Sequence, residues 1–201
     1  MDENQKQNLA AKKHQIQLRI SANEFIDRHL INWLEIYEIV VENDVNHELV
    51  QLANITDEEI SFWEKRMATE PFNKFNLDLQ KLNTDDEKNI VSKLYATFPS
   101  TYPLRYMPSD TVPVLAYENA GKIIADFALQ LQVDLEEEVF LFYLYYTPVL
   151  KLKLKDIIAY ADSLYDFPTE DILIASPNFD WLIFRSTEEE WRFCRRPTVI
   201  S

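Results

Sequence analysis

Any chemistry in this chain has to come from three histidines, one cysteine and 34 carboxylates. His14, His29 and His47 all fall in the first quarter, and no His-x-x-x-His pair, His-Glu-x-x-His run or carboxylate–histidine spacing joins them into a metal site. Cys194 has Arg192, Arg195 and Arg196 close by, charges that can lower a thiol pKa. It also alternates with Trp191 and Phe193, as an inert strand residue does. Glu35 with Glu38, and Glu38 with Glu42, share a helix face but lack the histidine at i+3 of a di-iron site. The triplets Glu136-Glu137-Glu138 and Glu188-Glu189-Glu190 read as solvated charge. A glycosidase-type acid pair is assembled only by the fold, and nothing in the sequence selects two acids from so many. The residues therefore predict no catalytic group, no metal and no cofactor.

Gly121 is the only glycine in 201 residues. A P-loop, a dinucleotide fingerprint or a nucleophile elbow needs several, because only glycine takes positive φ freely and lets a ligand approach the backbone. The net charge is −14, shared equally between residues 1–100 and 101–201 at −7 each. Such a field repels nucleic acid and anionic membranes and attracts basic proteins. A lone cysteine allows no internal disulfide, the polar start does not resemble a signal peptide, and no run of about 18 apolar residues occurs. Together these predict a cytoplasmic setting with no membrane and no nucleic-acid partner.

The elements that would position these groups divide by period. Residues 1–98 read as helical: Ile26, Leu30, Trp33, Leu34, Tyr37 and Val41 make one apolar stripe. Capping boxes at Ser21/Glu24, Thr56/Glu59 and Thr84/Glu87 predict helix starts. The third opens a helix with Ile90, Val91, Leu94, Tyr95 and Phe98 on its face, stopping before Pro99. Residues 99–113, with four prolines, read as a connector packed down by Tyr102 and Tyr106. Residues 114–201 follow the order α-β-β-α-β-β-β. Ala120 to Leu131 is an amphipathic helix, 139–146 a buried central strand, and Leu150, Leu152 and Leu154 alternate with Lys151, Lys153 and Lys155. After a helix through Tyr165, strands are predicted at 171–176, Trp181–Arg185 and 191–195. This is an α+β pattern: a helical N-terminal half packed on a mostly antiparallel C-terminal sheet with intervening helices.

Charge concentrates in 156–190, where nine acids face Arg185 alone, for a local net of −8. Aromatics are interleaved there. The segment from the aromatic strand and Pro148 through Asp162-Ser-Leu-Tyr-Asp166, Glu170-Asp171-Ile-Leu-Ile and Asn178-Phe-Asp-Trp-Leu-Ile resembles the immunity proteins of bacterial polymorphic-toxin and contact-dependent inhibition systems. The resemblance covers about 136–195. It implies a protein that binds and blocks a cognate toxin with a basic active-site surface, and it carries over no catalytic residue. The expected contacts are Asp162, Asp166, Glu170, Asp171, Asp180 and Glu188, with Tyr165 and Phe179 as apolar anchors. Two other classes fit the composition: an acidic adaptor or nucleic-acid mimic, and a hydrolase or transferase with dispersed carboxylates.

Overall fold

The computed structural model describes residues 3–51, 57–75, 77, 89–100, 106, 108, 112–115, 119–144, 146–165 and 171–196. The chain is α+β, with a seven-stranded sheet in the order β1-β4-β3-β5-β6-β7-β2. The strands are β1 (His47–Gln51), β2 (Val112–Leu115), β3 (Glu138–Tyr143), β4 (Tyr146–Lys153), β5 (Ile172–Ala175), β6 (Trp181–Arg185) and β7 (Glu190–Arg195). Every ladder between them is antiparallel. The antiparallel ladder from β3 through β7 matches the sequence expectation, except that the apolar run breaks after Tyr143 to form the β3–β4 turn and that Leu154 and Lys155, expected to continue the Leu/Lys alternation, begin a helix instead.

Both faces of the sheet are covered, so its strands are apolar on both sides. Val139, Leu141, Leu150, Leu152, Ile172, Ile174, Trp181, Ile183 and Trp191 point to one face. There they meet helices α2 (Ile31–Glu42), α5 (Ala120–Leu131), α6 (Leu154–Ala159) and α7 (Ala161–Leu164). Phe142, Val149, Leu173, Leu182, Phe184 and Cys194 line the other face under Leu94 of α4 (Ile90–Thr97), Phe98 just past its end, and Tyr106. Tyr106 closes that side: its hydroxyl donates to the Phe98 carbonyl at 2.8 Å, and its ring meets Phe184 edge-on at 5.8 Å.

Several expectations are corrected. The Ser21/Glu24 box lies inside a 23-residue helix, α1 (Glu3–Phe25), which runs through a π-helical turn (Ile26–Leu30) into α2. A capping box marks a start only where the chain has no helical turn before it, and here it has five. Val41 is exposed, and Val40 takes its place in the core. Thr56, Thr84 and Glu87 lie outside the described residues. Helix α3 (Ile60–Met67) follows Glu59 without a side-chain cap, whereas Asn89 caps α4 by accepting from the Ser92 N–H at 2.9 Å. The helical region also supplies a strand, since β1 pairs with β4. Gln51 at its end accepts from the Ile90 N–H at 2.8 Å and so ties that edge to α4. Pro113, assigned to the connector, sits in β2 at the opposite edge, where a missing ladder donor is tolerated. Tyr102 lies outside the described residues.

Candidate functional site

Asp166 and Glu170 lie outside the described residues; the other six expected contacts divide into interior and surface. Tyr165 is buried against Trp191, ring centroids 5.2 Å apart, and burial raises its phenol pKa although the Arg185 charge opposes the rise. Phe179 is buried over Phe140 at 6.0 Å. Asp171 is only 2% exposed, and its Oδ1 accepts the Thr187 N–H at 2.8 Å, fixing the β6–β7 turn. In this conformation these three cannot touch a partner. Aromatics placed between acids in a sheet covered on both faces become core, and an acid at a strand end satisfies backbone donors. Asp162, Asp180 and Glu188 are exposed as expected. Asp162 lines a shallow groove of about 340 Å³ with Gly121, Lys122 and Ile158.

The three exposed acids do not form one patch. Asp180 belongs to the β5–β6 turn and Glu188 to the β6–β7 turn, at opposite ends of β6. Five residues of strand separate those ends by roughly 16 Å. Asp180 instead meets acids that the sequence reading treated as solvated charge. β3 and β5 run antiparallel, with Phe140 opposite Ala175, which brings the loop entering β3 beside the β5–β6 turn. Glu137 in that loop has a raised pKa, first from burial and then from the nearby charges of Asp180 and Asp134; a hydrogen bond with Trp181 opposes the rise.

The neighbouring cations are engaged elsewhere. Lys153 and Lys155 donate to the two oxygens of Glu136 at 2.8 and 2.6 Å, which pulls its pKa down to about 2. Lys151 pairs with Glu138 at 2.6 Å. No described cation lies within ion-pair distance of Asp134, Glu137 or Asp180. Alternate members of the 136–138 triplet take lysines, and the middle one faces like charge. No spacing rule reveals this, because the lysines come from β4 and the opposing acid from the β5–β6 turn. The arrangement presents concentrated, uncompensated negative charge at one sheet end, suited to a cationic surface.

Of the side chains first weighed for catalysis, His47, His14 and Cys194 are held in the fold, and that of His29 lies outside what the structure describes. His47 bonds through Nδ1 to the Val45 carbonyl (2.7 Å) and through Nε2 to the Tyr37 hydroxyl (3.1 Å). His14 contacts Glu58 at 2.8 Å on the surface. Cys194 is buried beneath the sheet's second face. Among the described residues no group of three or more His, Cys, Asp or Glu is arranged to hold a metal ion. No described helix is long and apolar enough to cross a membrane.

One buried charge stands out. Arg185 is 8% exposed, its Nη1 has no hydrogen-bond partner, and its ionic contact is with exposed Glu189 at 3.7 Å. No family model, no curated protein and no solved structure matches this chain.

Proposed function

We propose that this protein neutralises a cognate toxin domain by binding it, using the carboxylate-rich end of the sheet at Glu137 and Asp180. The observation that carries this reading is the closeness of Asp134 and Asp180 to Glu137, with no described cation within ion-pair distance of any of the three; their charges add to the burial that raises the Glu137 pKa. A basic partner surface would relieve that repulsion, so part of the binding energy is prepared in the free protein. The resemblance of 136–195 to immunity proteins supplies the class of partner.

The test is co-expression with the product of the adjacent gene. Survival only in the presence of this chain, with a stable complex on co-purification, is the expected result. A complex should then weaken at least tenfold for Glu137→Lys/Asp180→Lys at low salt, and weaken with rising salt for the unaltered chain. A harmless neighbour without a complex overturns the toxin reading. A complex indifferent to the double reversal would instead move the interface away from this sheet end.

A further inference from the structure

Helix α1 differs from the rest of the chain in both charge and exposure. Residues 4–23 hold Lys6, Lys12, Lys13 and Arg19 and no acid. The other residues hold 16 Lys/Arg against 34 Asp/Glu, so a segment of +4 is attached to a body of −18. Ala22 is the buried residue of α1; Leu9 is 63% exposed and Ile16 and Ile20 are each 49% exposed. At 100° per residue, positions 9, 16 and 20 fall within about 40° of one another, and the four cations flank them on both sides. One helix face therefore carries an apolar seam with basic borders. Its anchorage to its own body is near the C-terminal end, where Phe25 packs on Trp63 at 5.7 Å, with the exposed His14–Glu58 contact further along.

We propose that this face docks on a second copy of the chain, at the C-terminal end of α5, and that two copies exchange their α1 helices reciprocally. The receiving surface has matching chemistry. Leu129 is 77% and Leu135 41% exposed there, and Asp126 and Asp134 are exposed in the same stretch. The last turn of α5 has no basic residue of its own, and Arg195 of β7 donates to its terminal Leu131 carbonyl, so the attraction for α1 comes from the two exposed aspartates. A helix of about 20 residues is about 30 Å long and covers roughly 400 Å² with one face. Two such contacts under twofold symmetry remove about 1,600 Å² in total from water, the size of a stable specific interface. The −18 body disfavours nucleic acid and anionic lipid as occupants. Three large apolar residues over six turns also make a weak membrane face.

The full chain is examined by sedimentation velocity and light scattering at about 50 mM and about 500 mM salt. The expected result is a dimer that dissociates at least tenfold more readily at high salt, in Lys12→Glu/Lys13→Glu/Arg19→Glu, or in Leu129→Glu. These positions are exposed, so circular dichroism should be unchanged. Mixing Lys12→Glu/Lys13→Glu with Asp126→Lys/Asp134→Lys should restore association that neither variant shows alone. A monomer at both salts, or a dimer insensitive to all these changes, overturns the proposal. So does α1-dependent binding to duplex DNA, or to vesicles of equal parts phosphatidylserine and phosphatidylcholine, by a chain that stays monomeric.

Discussion

The junction of α5 with α6 and the pair of hairpin turns flanking β6 treat the backbone in opposite ways. At the junction sits the chain's one glycine, in an ordinary helical conformation: a Cβ on Gly121 would come within 2.6 Å of the Ile158 carbonyl oxygen. The turns need left-handed residues, and they use Phe179 (φ 57°) and Glu189 (φ 63°). Each turn is framed by a serine. The Ser176 carbonyl accepts from Phe179 N–H and its hydroxyl from Asp180 N–H, and Ser186 does the same for Glu189 and Glu190. Glycine is thus kept for close helix approach, and strained φ is stabilised by serine hydrogen bonds. The two turns then diverge, one burying an aromatic ring and the other exposing a carboxylate.

The largest expected effect tests that divergence. Phe179→Ala should lower stability by about 3 kcal/mol through a cavity beside Phe140, while Glu189→Ala should change it by less than about 0.5 kcal/mol. Equal costs in urea denaturation would mean that backbone strain, not packing, dominates both turns. Next is Gly121→Ala, with an expected loss of about 2 kcal/mol from overpacking against Ile158, although alanine alone favours a helix by about 1 kcal/mol. A stabilised variant would show that α5 and α6 can separate freely. Ser176→Ala and Ser186→Ala should each cost about 1 kcal/mol, in equal measure if the two frames are equivalent. Smallest is Glu189→Gly, a change within about 0.5 kcal/mol, because relief of left-handed strain is offset by the added chain entropy and by loss of the contact with Arg185.

Adjacent carboxylates offer a comparable contrast with pH. Glu136 is held below its ordinary value by Lys153 and Lys155, so its contribution is complete above that value and disappears as pH falls towards about 2. Glu137 is raised, chiefly by burial, so the folded chain binds its proton more readily than the unfolded chain does. Its effect on stability therefore runs the other way, improving as pH falls through its raised pKa. Carboxyl chemical shifts followed through an acid titration should show Glu137 protonating before Glu136.

The legible parts of the fold are those where one period dominates. Alternating Leu150 and Leu152 with Lys151 and Lys153 place β4, though the alternation runs on into Leu154 and Lys155 of α6, and the 3.6 spacing through Ile123, Ile124, Phe127 and Leu131 places α5. The edge strands escape this reading because β1 sets only Leu49 and Val50 among the polar His47, Glu48 and Gln51, and β2 contains a proline. Helix α1 escapes it because its exposed residues need no continuous stripe. For the site, Asp180 was legible as an exposed acid, but Asp134 and Glu137 acquire meaning only from the β3–β5 pairing. Tyr165 and Phe179 misled because local sequence does not tell an aromatic anchor from an aromatic core residue.

The outermost strands of the sheet come from upstream of all five strands between them. Leu49 waits for Leu150 and Val112 for Phe193, closures of roughly 100 and 80 residues. On the ribosome, Trp33, Ile36, Leu94 and Phe98 therefore emerge long before the strands that cover them. A nascent chain halted before residue 138 should hold helices with bare apolar faces and be retained by chaperones. Emergence of β7, which pairs with both β6 and the early strand β2, should mark the moment the sheet can close.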